Sequence, residues 1–106
     1  MAGEVVALVT CPGDKAEGIA TALIEEQLAA CVNIVNQVTS IYRWEGTVKK
    51  DQESLLIIKT SLIVWETLVE KVTEIHPYDT PEIICLPIEA GNEPYLDWLN
   101  HSIKER

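Results

Sequence analysis

Residues 53–60, ESLLIIKT, constrain this chain more than any other stretch. Leu55, Leu56, Ile57 and Ile58 are apolar at consecutive positions, so an extended strand here carries aliphatic side chains on both faces. Such a strand belongs in the middle of a sheet with cover on both sides. The chain has 106 residues, enough for one domain over 1–106, and 47% of them are hydrophobic, enough for a real core.

The flanking pattern supplies the rest of the sheet. Residues 4–10, EVVALVT, form a β-branched run that ends near Cys11 at the breaker Pro12-Gly13-Asp14. Asp14 is placed to cap a helix reaching Ala30, with Ile19, Leu23 and Leu28 on its apolar side. A second strand covers residues 31–35 and resumes over 40–44 across a bulge near Gln37, and a polar turn at Lys49-Lys50-Asp51 leads into the central strand. Ser61 can cap a second helix whose Trp65, Leu68, Val69, Val72 and Ile75 share one side and which must stop where His76 meets Pro77. A fourth strand over 81–88 and a last helix opened by Asn92-Glu93-Pro94 complete the chain.

The order βαββαβ plus a terminal helix predicts an α+β, ferredoxin-like sandwich. Right-handed crossovers and a central hairpin give an antiparallel sheet ordered fourth, first, third, second. Pro87 agrees, because a residue without an N–H suits an edge strand. Both long helices then cover one face. The opposite face of strands one and three keeps aliphatic residues that a short terminal helix cannot hide, which argues for a symmetric oligomer.

Charge narrows the partners. Eight Lys and Arg against 17 Asp and Glu leave a net charge of −9, which repels nucleic-acid phosphates and anionic lipid and attracts cations. No apolar run reaches the roughly 18 residues of a membrane span, and Met1-Ala2-Gly3-Glu4 lacks the positive region of a secretory signal. Cys11, Cys31 and Cys85 are odd in number and form no Cys-x-x-Cys pair, so they read as free thiols of a cytoplasmic protein, Cys31 and Cys85 as buried structural ones.

Several segments carry a resemblance across nearly the whole chain: Ala30-Cys31-Val32-Asn33-Ile34, Ser40-Ile41-Tyr42-Arg43-Trp44-Glu45-Gly46, Ile58-Lys59-Thr60, His76-Pro77-Tyr78-Asp79-Thr80-Pro81-Glu82-Ile83 and Tyr95-Leu96-Asp97-Trp98-Leu99. Together they resemble the CutA family of divalent-cation tolerance proteins. The resemblance implies a tight homotrimer with an extended hairpin and a fold similar to the PII signalling proteins. It also implies a link to copper tolerance in bacterial members and to acetylcholinesterase anchoring in animal relatives. Copper ligands in the family are a cysteine on strand one and the histidine of the His-Pro-Tyr motif. His76 carries over directly. The bacterial thiol position is Val9 here, with Cys11 two residues later, and the second histidine of some members is Ile75.

Topology brings the end of strand one beside the start of strand four, so Cys11 should meet the loop from His76 to Asp79. Thiolate, imidazole and carboxylate suit a borderline or soft metal such as copper or zinc; the resemblance implies divalent copper, with zinc weaker by the Irving–Williams order. A nearby helix N-terminus would favour the Cys11 thiolate. The same residues admit a structural reading, with Cys11 a small core residue and His76 a helix terminator. A thiol enzyme using Cys11, His76 and Asp79 is disfavoured, since no oxyanion hole or substrate-pocket signature accompanies them. A PII-like signalling trimer that binds a small molecule or partner protein between subunits is the remaining alternative. Tyr42 and Trp44 share one face of the hairpin, where rings can bind a ligand but are expected to pack against a neighbouring subunit; Glu25, Glu26 and Glu53 read as solvated charge, and His101 as exposed.

Overall fold

The computed structural model describes residues 3–105. Strands β1 (Glu4–Cys11), β2 (Cys31–Trp44), β3 (Thr47–Ser61) and β4 (Ile83–Pro87) form one antiparallel sheet in the order β2-β3-β1-β4. The doubly apolar segment is therefore central, with Leu56 opposite Val9 on one side and Ile34 on the other, and Pro87 lies on an edge strand. Helices α1 (Ala16–Glu25), α2 (Trp65–Ile75) and α3 (Glu93–His101) complete the α+β architecture. No helix among the described residues is long and apolar enough to cross a membrane.

Strand alternation sorts the two faces. Ala7, Val9 and Cys11 of β1 and Leu56 and Ile58 of β3 pack with Ile19 and Leu23 of α1 and Leu68 and Val72 of α2 in one core. Thr60 faces this core too, and its hydroxyl is satisfied by donating to the Leu28 carbonyl at 2.7 Å.

Four local expectations are corrected. The first helix is shorter, because Asp14 lies within a single 3-10 turn, Gly13–Lys15, and its side chain caps nothing. Ser61 does cap, accepting from the Ile63 amide, but the element it opens is a 3-10 turn, Leu62–Val64, that precedes α2. The hairpin turns at Glu45-Gly46, both at positive φ, rather than at Lys49-Lys50-Asp51, which pair with β2. Left-handed backbone at both central residues matches the twist of the flanking strands, and that favours this two-residue turn. Finally, Cys31 and Cys85 are only half-buried. The expected bulge is present, a register shift between Val35 and Val38 with Gln37 at φ 59°.

Helix α3 is tied to the sheet by Asn100, whose Nδ2 donates to Glu4 Oε2 at 2.8 Å, and the segment after α3 is tied to the turn between α1 and β2 by the Lys104 amide, which donates to the Gln27 carbonyl at 3.1 Å. It leaves much of the second face open, for Ile84 and Leu86 of β4 remain 50% and 55% exposed. The Asn100 bond holds the Glu4 carboxyl below the usual carboxylate range. A lowered folded-state value brings stability that is present above the unfolded value and lost as pH falls through the folded one. Asn100→Ala should therefore cost about 1.5–3 kcal/mol near neutral pH, the range for a bond to a charged acceptor. In chemical denaturation the cost should shrink in acid, and an equal cost at acid and neutral pH would contradict this assignment.

Candidate functional site

The site begins where α2 ends. The His76 amide makes the last helical bond, to the Val72 carbonyl at 2.8 Å, and His76 itself is extended at φ −78°, ψ 139°, as a residue before proline prefers. Pairing of β4 with β1 stops at Val9, so beyond it β1 has no strand neighbour on that edge. His76 takes that place. Its Nε2 lies 2.8 Å from the Thr10 carbonyl, and its Nδ1 accepts from the Tyr78 amide at 3.0 Å. Because an amide can only donate, Nδ1 must be unprotonated and Nε2 must carry the hydrogen that Thr10 accepts. The ring is 7% exposed, and both of its nitrogens are committed.

The predicted ligands thus reach the same end of the sheet without forming one cluster. Cys11 is fully buried, in phase with Val9 and Ala7 on the helix-covered face. Burial pushes its thiol above the ordinary range, aided by the charges of Glu53 and Asp14, so the expected thiolate is reversed. Asp79 is exposed on the loop after His76. Among the described residues, no group of three His, Cys, Asp or Glu side chains is arranged to hold a metal ion.

What the loop builds is a cleft of about 410 Å³ on the other face of the sheet. Thr10 and Glu53 form its floor, Tyr42 and Trp44 come from the hairpin, and Tyr78, Asp79, Thr80 and Glu82 come from the loop. The two hairpin rings therefore line a cleft within their own subunit. Glu53, read from sequence as solvated, is only 8% exposed and accepts a 3.0 Å bond from the Tyr78 hydroxyl. Nearby, the Tyr42 hydroxyl donates to Asp51, and that of Thr10 to Glu82 at 3.5 Å. Sequence reasoning missed Glu53, Tyr78 and Glu82 as site residues. The signal was present, since Glu53 is in phase with Leu55 and Ile57, and the other two lie within the His76–Ile83 motif.

Partial burial, the bond to Glu53 and the charges of Glu53 and Asp51 push the Tyr78 phenol up to about 12. Since the folded value exceeds the ordinary 10, its contribution to stability is complete below pH 10 and is lost as pH rises through about 12. In Tyr78→Phe, the alkaline loss of stability should flatten in that window and the last phenolate absorbance step should vanish. An unchanged alkaline profile would place Tyr78 away from Glu53. Cys11, for its part, should alkylate only on unfolding, as mass mapping after native labelling would show; rapid native labelling at Cys11 would contradict its burial.

This sheet order, with two helices on one face and a third against the other, defines the ferredoxin-like α+β class. The sequence matches the family model described as CutA1 divalent ion tolerance protein over residues 5–102, and the chain belongs to that family. It is 54% identical to the divalent-cation tolerance protein CutA of Thermus thermophilus over 93% of this chain and 97% of that protein. It is 49% identical to the CutA protein of mouse over 93% of this chain, which there spans only 56% of the longer relative. The solved Thermus thermophilus structure superposes with a TM-score of 0.94 at 53% identity, covering 95% of this chain and 99% of that one. The Oryza sativa CutA1 structure does so with a TM-score of 0.95 at 47% identity, covering 98% and 96%.

Proposed function

We propose that the protein is a cytoplasmic homotrimer that binds divalent copper, and other divalent cations such as zinc more weakly, in the service of cation tolerance. One observation carries the metal reading: Asp79 and Glu82 line the cleft built by the loop that follows His76, and neither has an ion-pair partner among the described residues, in a chain of net charge −9. Both carboxylates are exposed, and Glu82 has only to exchange its long 3.5 Å bond from the Thr10 hydroxyl. His76 can add a nitrogen ligand only by releasing one of its two hydrogen bonds, an exchange costing about 0.5–1.5 kcal/mol. Cys11 lies buried in the core and would have to leave it to serve as a ligand, so the proposed set adds Glu82 to His76 and Asp79. With its thiol protonated in the core, Cys11 is also a poor nucleophile, which favours binding over catalysis. Three free thiols fit a reducing compartment.

The trimer reading is supported by Ile84 and Leu86 on the open sheet face and by Ile41 and Val48 on the hairpin face away from the cleft, the last two 68% and 61% exposed. Apolar contacts of this kind need no metal. Sedimentation with chelator present should therefore still show a trimer, and a monomer under those conditions would overturn the proposal's quaternary part.

Copper titration tests the metal part. Affinity should fall in His76→Ala and in the double variant Asp79→Asn, Glu82→Gln, and it should stay unchanged in His101→Ala, whose exposed ring is the natural adventitious site. It should also weaken as pH falls, because imidazole ligates only when neutral. Loss confined to His101→Ala would mean that copper is an incidental surface ligand.

A further inference from the structure

The cleft is much larger than a metal ion and falls within the size range of small-molecule sites. Its lining has a particular chemistry. Three rings, Tyr42, Trp44 and Tyr78, share it with three carboxylates, Glu53, Asp79 and Glu82. Glu53 is more than nine-tenths buried, yet only its Oε2 is satisfied, by the Tyr78 hydroxyl. Its Oε1 accepts no hydrogen bond from any described residue and is not sealed from solvent. None of the three carboxylates has an ion-pair partner among the described residues. Lys49, the nearest basic residue in phase with Glu53 on β3, lies four residues along the strand, roughly 13 Å away.

A carboxylate held in an aromatic cleft, with one oxygen open to that cleft and no ion-pair partner among the described residues, suits a cation that donates a hydrogen bond. Aromatic walls add a preference, since a hydrated metal ion gains little from π faces whereas an organic cation gains both cation–π attraction and apolar contact. We propose that the cleft binds a small primary organic ammonium ion, its N–H group donating to Glu53 Oε1 and its apolar body lying against Trp44 and Tyr78. A quaternary ammonium would leave the Glu53 oxygen unanswered. A neutral isostere would leave the charge unanswered too.

Benzylammonium and the neutral benzyl alcohol are suitable probes, titrated calorimetrically into the intact protein with chelator present throughout. This inference does not rest on copper binding, and the chelator keeps the two results separate. Benzylammonium should bind saturably, and benzyl alcohol about tenfold or more weaker. Glu53→Gln, which keeps the side-chain volume, and Trp44→Ala should each weaken the ammonium by about tenfold. Circular dichroism and sedimentation of both variants serve as the check on native fold and assembly. Equal binding of the alcohol, no saturable binding of the ammonium, or unchanged affinity in both variants would overturn the proposal.

Discussion

The local order of this end of the molecule depends on one imidazole. His76 closes α2 with its backbone, and its ring then bridges the Thr10 carbonyl of β1 and the Tyr78 amide of the following loop. Without that bridge, β1 would end in an edge carbonyl with no partner, and the segment before β4 would have no anchor where the strand pairing stops. With it, the loop is held so that Tyr78, Asp79 and Glu82 line a single cleft with the hairpin rings. A histidine that reads in sequence as a ligand is here first a clasp, and any metal chemistry at its nitrogens competes with that structural role.

The clasp also sets the electrostatics. With Tyr78 docked over β3, Glu53 is buried and has one hydroxyl donor in place of water. Removing a carboxylate from water costs on the order of several kcal/mol, and one hydrogen bond to a charged acceptor returns about 1.5–3. What remains is a cleft lined by three carboxylates, for which both proposals above name cations as the partners. Exposed carboxylates at its rim suit divalent ions, and the aromatic interior suits a larger organic cation. Both proposals follow from one cause, acidic groups that have no ion-pair partner among the described residues.

Much of the fold was legible because burial leaves a period in the sequence. The unbroken apolar run at Leu55–Ile58 demanded the centre of the sheet, and Pro87 demanded an edge. Cys11 is in phase with Val5, Ala7 and Val9, so its burial was readable as well. The hairpin was less legible, because its outer half is solvated on both faces and shows no alternation. Lys49-Lys50-Asp51 looks like a turn by composition, yet it pairs with β2, while the true turn rests on left-handed backbone at Glu45 and Gly46. The site was the hardest part. His76 was visible as a helix end and a candidate ligand, but what its ring binds is a backbone carbonyl and a backbone amide, and such partners leave no side-chain signature.

The central claim is that His76 is a clasp with both nitrogens engaged, and its tautomer tests this most directly. Nitrogen-15 NMR of the metal-free protein, correlating the ring nitrogens with the ring carbon-bound protons, should show a neutral imidazole at His76 with the proton on Nε2 and an unprotonated, hydrogen-bond-accepting Nδ1. A proton on Nδ1, or a ring exchanging rapidly between tautomers, would mean that the Tyr78 amide is not held there and would contradict the account.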